Sequence, residues 1–306
     1  MRVPRPLVFV NGVIMRGDAE AHEMVAPGTL AAVLALLAGE PGKWTPIAGG
    51  TELMVAHAAG RLPASRLVSL WGIADLRFIA SRPGNISIGA GATFTDIRNH
   101  PGIAADLPLL SRAATWIGSI ANQSRATIGG NLVNGSPAAD SSPALLVYDA
   151  EVDLISVRGT RRVRYSDFHT GYKKNALAPD ELLYSIQIPR RFGEHRQFLR
   201  KVGTRRAMAV AKVALGATAL VENGIISELR LAAASLAAFP TRLRRTEDAL
   251  CGKRVDAATI SAARTALLAE VLPIDDIRST AEYRRHVAAN LLEEFLTDLQ
   301  RPEETR

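Results

Sequence analysis

Residues 127–143 form the segment that most limits how this chain can fold. They read TIGGNLVNGSPAADSSP, with two adjacent glycines, few side chains large enough to fill a core, and a single acid, Asp140. Glycine and short polar residues favour turns over the interior of a helix. The segment therefore predicts an irregular loop that a second group can approach closely.

A second loop, AGGTEL at 48–53, repeats this composition after a short predicted strand. The backbone N–H groups of Gly129 and Gly130 have no neighbouring Cβ, so an anion can reach the main chain there. Either loop alone is also typical of an ordinary tight turn. Together they predict a site for one long ligand that carries a pyrophosphate. Short donors around the second loop are Thr127, Asn131, Asn134 and Ser136.

Asp140 stands between Pro137 and Pro143 in the second loop. An ionised carboxylate only accepts hydrogen bonds. We therefore expect Asp140 to accept a bond from a sugar or ribityl hydroxyl of the same ligand. A dinucleotide-binding GxGxxG is not predicted, because the segment GAGATF at 89–94 has Phe94 at the position of the third glycine.

Composition excludes several classes of protein. The one cysteine, Cys251, allows neither a disulfide nor a protein-ligated iron–sulfur cluster in this chain. The apolar run near the N terminus is too short for a signal peptide or a membrane span, which predicts a cytoplasmic protein. The net charge is +7, but aromatic residues are only 5% of the chain, so nucleic-acid binding is not expected and the arginine clusters are interpreted as solvated faces.

The order of the predicted elements indicates an α+β protein rather than an alternating doubly wound sheet. Asn223-Gly224 predicts a tight hairpin turn between two strands. The predicted elements are helices over 30–39 and 107–121, a short strand followed by a two-glycine turn within 45–53, strands over 66–70 and 85–91, a hairpin over 151–165, strands over 197–202, 209–221 and 225–235, and helices after Arg242.

Five motifs carry a family resemblance. Besides AGGTEL and TIGGNLVNGSPAAD, they are GYKKNALAPDELL, KVGTRRAMAVAKV and PIDDIRSTAEYRR. Over residues 23–296 the chain resembles the FAD-binding (medium) subunits of the molybdenum hydroxylases, the family of xanthine dehydrogenase, carbon monoxide dehydrogenase and aldehyde oxidoreductases. The resemblance implies a two-lobed FAD-binding fold of the vanillyl-alcohol oxidase type, followed by a C-terminal domain with a three-stranded antiparallel sheet and helices.

The resemblance also implies domain boundaries, and the composition changes after Pro189, near one of them. The expected divisions are an N-terminal extension at 1–22, a FAD-binding domain at 23–190 with lobes of about 23–75 and 76–190, and a C-terminal flavoprotein domain at 191–306.

The same motifs identify residues expected to contact the cofactor. Lys201 would lie near the pyrimidine edge of the flavin, where a cation stabilises negative charge on the reduced ring. Without the resemblance it would be interpreted as a solvated lysine. Leu183 would touch the adenine or ring region, and Tyr172 would lie near the ring and the electron-acceptor site. The expected cofactor-binding residues are Ala48, Gly49, Gly50, Thr51, Glu52, Thr127, Gly129, Gly130, Asn131, Asn134, Ser136, Asp140, Leu183 and Lys201.

For function, the resemblance implies a FAD-carrying electron-transfer subunit of a molybdopterin-dependent dehydrogenase. Its partners would be a small iron–sulfur subunit and a large molybdopterin subunit, in a dimer of heterotrimers. Electrons would come from [2Fe–2S] clusters of a partner and pass to NAD or another acceptor, with no metal bound by this chain. Two alternatives stay open: a free-standing FAD-dependent oxidoreductase of the same fold, and a non-enzymatic basic binding module, which only the net charge favours.

Overall fold

The structure, a computed structural model, describes residues 8–10, 13–15, 21–205 and 208–301. The expected N-terminal extension at 1–22 lies mostly outside these residues. Its described residues include two short strands, β1 (Val8–Val10) and β2 (Val13–Met15), which pair antiparallel. None of the helices in the described ranges combines the length and apolar character that a bilayer span requires.

The first lobe is a small parallel sheet with a helix packed on it. Its elements are β3 (Glu23–Val25), α1 (Leu30–Gly39), β4 (Thr45–Ile47), α2 (Leu53–Ala58) and β5 (Arg66–Ser69). The strand order is β3-β5-β4, and both pairings are parallel. Helix α1 begins after Thr29, whose side chain accepts a hydrogen bond from the Ala32 N–H, and it buries Val33 and Leu37 in the lobe's core.

The second lobe combines an antiparallel sheet with short helices. Its elements are β6 (Ile79–Arg82), β7 (Asn85–Gly89), α3 (Phe94–Asn99), α4 (Pro101–Asp106), α5 (Pro108–Ala114), α6 (Ile120–Gln123), α7 (Ile128–Val133), α8 (Ser142–Val147), β8 (Glu151–Ser156), β9 (Gly159–Arg164), β10 (His169–Gly171), β11 (Lys174–Asn175) and β12 (Leu182–Pro189). The main sheet has the order β6-β7-β12-β8-β9. Ile86 and Ile88 of β7 pack with Ile186 and Ile188 of β12 in a core that the helices cover.

The C-terminal domain packs helices on a second antiparallel sheet. Its elements are β13 (Arg196–Val202), β14 (Val213–Glu222), β15 (Ile225–Ala234), β16 (Thr241–Arg242), α9 (Arg244–Leu250), α10 (Ala257–Glu270) and α11 (Ala281–Leu299). Both Asn223 and Gly224 have positive φ, which confirms the predicted hairpin turn. The α+β class is confirmed as well.

The expected three-stranded sheet has a fourth strand. The sheet order is β13-β14-β15-β16, and β16 pairs with the end of β15 through Ala232–Arg242 and Ala233–Thr241. A two-residue strand has no alternation of apolar and polar side chains for a sequence to show. The strand predicted from residue 209 begins four residues later, at Val213.

The predicted helix over 107–121 is two helices. Helix α5 ends at Ala114 and α6 begins at Ile120. Gly118, between them, has a φ of +50°, and Ser119 and Asn122 form a capping box that starts a new helix. These two signals outweigh the helical spacing of apolar residues that the prediction used.

The small-residue segment is also more regular than predicted, because residues 128–133 form helix α7. The Thr127 side chain accepts from the Gly130 N–H at the start of this helix. Ile128 and Leu132 are fully buried in the second lobe's core. Tertiary burial of these two side chains overrides the low helix propensity of the glycines.

Candidate functional site

The two glycine loops lie against each other. A Cβ added at Gly49 would be 1.7 Å from the carbonyl oxygen of Arg125. Arg125 lies two positions before Thr127, where the second loop begins. Only glycine lets the first loop approach that backbone. Gly50, next to it, has a φ of +74°, a conformation that other residues rarely adopt. The structure therefore brings together the two loops that the sequence analysis paired.

The first loop has free backbone donors. In the part of the chain that the structure describes, the N–H groups of residues 49–52 donate to no other group. The loop is held by a hydrogen bond of 2.9 Å from the Met54 N–H to the Gly50 carbonyl. Successive unpaired N–H groups in a turn form a concave site that favours anions.

The glycines of the second loop have a different role from the predicted one. The Gly129 N–H donates to the Ala90 carbonyl at 2.9 Å, and the Gly130 N–H donates to Thr127 Oγ1 at 3.2 Å. The expectation that both groups stay open to an anion is therefore wrong. A Cβ at Gly129 would be 2.6 Å from Ala90 Cβ, so this glycine allows close packing. Gly130 is exposed, and among the described residues a Cβ there would meet only Thr127 Oγ1, at 3.1 Å.

A serine that the sequence analysis missed orients one of the predicted donors. Ser141 is fully buried, and its Oγ donates to Asn131 Oδ1 at 2.7 Å. Because its oxygen accepts from Ser141, the amide of Asn131 is fixed with its NH₂ group pointing away from Ser141, where it can donate to another group. The only sequence signal for Ser141 was its position directly after Asp140 in the same segment.

The other polar side chains of the two loops are mostly unengaged. Ser136 Oγ accepts a bond of 3.3 Å from the Ala138 N–H. The side chains of Thr51 and Asn134 are half-buried and have no hydrogen-bond partner among the described residues. These groups are available to a ligand.

Asp140 and Lys201 form a buried ion pair. Lys201 Nζ lies 2.6 Å from Asp140 Oδ2, and the two side chains are only 8% and 11% exposed. The same ammonium group lies 3.4 Å from the carbonyl oxygen of Trp116, in the break between α5 and α6. The interpretation of Lys201 as a solvated lysine is therefore wrong.

The other oxygen of this carboxylate has no partner. Asp140 Oδ1 is buried and accepts no hydrogen bond from any residue that the structure describes. Burial raises the pKa of Asp140 from 3.8 to about 6, although the Lys201 ammonium lowers it. Leaving a buried carboxylate oxygen unpaired is costly, which makes Asp140 Oδ1 a strong acceptor for a ligand hydroxyl.

Tyr172 lies at the rim of the two loops. It is 63% exposed, in the turn between β10 and β11. A Cβ added at Gly135 would be 3.2 Å from the Cα of Lys173, so this turn sits on the second loop. Lys173 Nζ is 3.5 Å from Glu52 Oε1 of the first loop, and this ion pair is exposed enough to contribute little stability.

The remaining predicted residues have different environments. Ala48 is half-buried in the first loop. Leu183 lies in β12 with 4% of its surface exposed and belongs to the hydrophobic core of the second lobe. Its contact with an adenine or flavin ring stays a prediction.

Residues 20–191 match the family profile described as the FAD binding domain in molybdopterin dehydrogenase. The chain belongs to this family. Residues 199–299 match a second profile, the CO dehydrogenase flavoprotein C-terminal domain. The resemblance drawn from the five motifs is confirmed, and the chain is a FAD-binding subunit of an oxidoreductase.

Curated members of this FAD-binding family align with nearly the whole chain. The xanthine dehydrogenase FAD-binding subunit of Escherichia coli O157:H7 is 31% identical over 272 residues, which are 88% of this chain and 93% of that protein. The carbon monoxide dehydrogenase medium chain of Hydrogenophaga pseudoflava is 26% identical over 276 residues, or 90% and 95% of the two chains.

Solved structures of the family have the same fold. A carbon monoxide dehydrogenase structure from Hydrogenophaga pseudoflava superposes with a TM-score of 0.87 at 26% identity and covers 91% of this chain and 97% of that one. Quinoline 2-oxidoreductase from Pseudomonas putida 86 gives a TM-score of 0.84 at 25% identity, with coverage of 92% and 97%. The two-lobed FAD-binding fold followed by a C-terminal domain is thereby confirmed.

Proposed function

We propose that this chain is the electron-transfer subunit of a molybdopterin-dependent dehydrogenase. It would take electrons from the [2Fe–2S] clusters of a partner subunit and pass them to NAD or another acceptor through its FAD. The observation that carries the proposal is the match of both parts of the chain to flavoprotein profiles, together with relatives named as FAD-binding subunits and medium chains. With Cys251 as its one cysteine, the chain itself cannot ligate a cluster.

The donor set fits FAD. The free N–H groups of residues 49–52 suit a pyrophosphate, whose charge such a turn stabilises. The unpartnered Asp140 Oδ1 suits a ribityl or sugar hydroxyl, which can donate to it. The residues that would hold FAD are Ala48, Gly49, Gly50, Thr51, Glu52, Thr127, Gly130, Asn131, Asn134, Ser136, Asp140, Leu183 and Lys201. Gly129 would contribute by letting the second loop pack closely against Ala90.

Lys201 and Asp140 would act together beside the flavin. Bound FAD supplies the ability to exchange electrons singly and in pairs. Lys201 would stabilise negative charge at the pyrimidine edge of the ring, and its contact with Asp140 holds the ammonium group in place. Asp140 also offsets part of the lysine charge, so the pair tunes the local potential. Tyr172, exposed at the rim, would face the electron acceptor.

The proposed partners are an iron–sulfur small subunit and a molybdopterin-binding large subunit, in a dimer of heterotrimers in the cytoplasm. Support comes from the relatives' names, which include a nicotine 6-hydroxylase medium subunit and a glyceraldehyde dehydrogenase medium chain. These names belong to proteins that occur with other chains. The substrate would bind to the molybdopterin subunit.

The absorbance spectrum of the natively purified protein tests this proposal, followed by identification of the released cofactor and metal analysis of all chains that co-purify. FAD with iron, molybdenum and two further polypeptides is the expected result. FAD on an isolated chain that is active alone would instead establish the free-standing flavoenzyme. A colourless chain that cannot be reconstituted with FAD would refute the proposal.

A further inference from the structure

An arginine stacked on a tryptophan lies beside the first glycine loop. The guanidinium carbon of Arg125 is 3.8 Å from the centre of the Trp71 ring, which is a close cation–π contact. Arg125 is exposed, and Trp71 keeps 37% of its surface exposed. The second lobe supplies the arginine and the first lobe supplies the tryptophan, so the contact spans the two lobes.

Trp71 lies at the same edge of the parallel sheet as the first loop. Strands β4 and β5 run parallel with Ile47 opposite Ser69, and both strands end at these positions. The Leu70 N–H then donates to the Ile47 carbonyl at 2.8 Å, which keeps the two chain segments side by side as they leave the sheet. Ligands of open sheets bind outside the carboxyl ends of parallel strands. Trp71 is therefore on the side of the sheet where the loop would hold its ligand.

The backbone of Arg125 touches the first loop directly. Its carbonyl oxygen lies where a Cβ on Gly49 would be only 1.7 Å away. The N–H groups of residues 49–52 donate to no other group in the part of the chain that the structure describes. Because the backbone is in contact with the loop, the guanidinium group lies within about one arginine side-chain length of these free donors.

The charge of Arg125 has no acidic partner among the described residues. Arg77, which also lies near the Trp71 ring, at 5.9 Å, differs because it pairs with Asp96 at 3.2 Å. A pyrophosphate at the first loop would bring one negative charge on each phosphate, next to the exposed carboxylate of Glu52. Backbone N–H groups stabilise an anion only through partial charges. A full positive charge beside them would complete the site.

We infer that Arg125 binds the pyrophosphate of FAD and that Trp71 positions its guanidinium group. This inference rests on the proposed function, which has the pyrophosphate at the first loop. Stacking occupies a face of the guanidinium plane and leaves the N–H donors at its edge free for phosphate oxygens. It also restricts the arginine side chain before the cofactor binds, which lowers the entropy lost on binding.

Titration of the FAD-depleted full chain with FAD, followed by flavin fluorescence, tests the inference. Arg125→Gln should raise the Kd for FAD by about ten- to a hundredfold, as expected for the loss of a hydrogen-bonded charge. Arg125→Lys keeps the charge and should raise the Kd less. The matched control is Arg254→Gln, an exposed arginine beside the Gly224 turn of the C-terminal domain, which should leave the Kd unchanged. An unchanged Kd in Arg125→Gln would overturn the inference.

Ionic strength separates phosphate binding from simple bracing of the loop. The Debye length falls from about 10 Å in about 0.1 M salt to about 3 Å in about 1 M salt, so the attraction between two charges weakens. The ratio of the Kd of Arg125→Gln to that of the wild type should therefore fall by about threefold or more over this range. A ratio that stays constant would show that Arg125 only braces the loop, and it would overturn the inference.

A double variant tests the positioning role of Trp71. Trp71→Leu should raise the Kd for FAD several-fold, because Arg125 loses the ring that holds its guanidinium group. Combined with Arg125→Gln, it should raise the Kd no further, since Trp71 acts only through the arginine. If the effects of the two substitutions multiplied, the positioning role would be refuted.

The inference and the proposed function fail in distinguishable ways. A wild-type chain that binds FAD no better than Arg125→Gln does would overturn the inference alone. A wild-type chain that cannot be loaded with FAD would overturn the proposed function and this inference with it.

Discussion

The Lys201 ammonium lies 2.6 Å from the Asp140 carboxylate, although 61 positions separate the two residues in the chain. Lys201 comes from β13 of the C-terminal domain and Asp140 from the second glycine loop. Both side chains are buried, so solvent screens their attraction little. This ion pair connects the two domains at the site proposed for the flavin.

Removing one partner of this ion pair should be costly. We expect Lys201→Met to lower the free energy of unfolding at pH 7.5 by about 3–5 kcal/mol, because Asp140 stays buried without a counter-charge. Adding Asp140→Asn should restore part of that loss. A double-mutant cycle from urea unfolding should give a coupling free energy of at least about 1 kcal/mol. Additive effects of the two substitutions would contradict the ion pair.

The raised pKa of Asp140 predicts a dependence of stability on pH. Between the ordinary pKa of 3.8 and the native value of about 6, the folded protein keeps a proton that the unfolded chain releases. The free energy of unfolding should therefore fall as pH rises through this window, by up to about 3 kcal/mol from this group. Asp140→Asn should remove that part of the slope. Urea unfolding of the FAD-free protein from pH 4 to pH 7 checks this, and parallel curves for the two proteins would refute it.

Gly49 should be intolerant of any side chain. The Cβ of Gly49→Ala would be 1.7 Å from the Arg125 carbonyl oxygen, and neither backbone can shift easily. We expect a loss of about 3 kcal/mol or more in stability, as in severe overpacking, together with reduced FAD content. Thermal unfolding and the ratio of flavin to protein absorbance measure the two effects. Gly72→Ala is the control, because no atom of the described residues lies within 4 Å of a Cβ at that position. Equal behaviour of the two variants would show that the loops do not touch.

Gly129 and Gly130 should respond differently to substitution. Gly130→Val should abolish FAD binding while the protein stays folded, because its Cβ meets only the Thr127 side chain. Gly129→Ala should lower the free energy of unfolding by about 1–3 kcal/mol through its contact with Ala90. FAD titration and urea unfolding distinguish the two effects. Unchanged FAD affinity in Gly130→Val would mean that the second loop lies elsewhere than at the cofactor.

Several parts of the fold could be predicted from the sequence because their signals are local. Helix α1 begins after its predicted cap at Thr29, and the Asn223-Gly224 turn joins β14 and β15 as expected. The break after α5 had local signals too, at Gly118 and Ser119, but the apolar spacing was given more weight. Helix α7 could not be predicted, because it forms only when Ile128 and Leu132 are buried by distant residues.

The candidate site likewise has features that the sequence predicts and contacts that only the folded structure shows. By itself the sequence determined which residues make up the two glycine loops, where α1 and the Asn223-Gly224 turn fall, and to which family the chain belongs, because those features depend on residues close together in the chain. Only the tertiary structure decided that Gly49 meets Arg125, that Gly129 is needed for packing, and that Asp140 pairs with Lys201. These contacts depend on how whole elements pack against one another, and no local pattern of residue types encodes that arrangement.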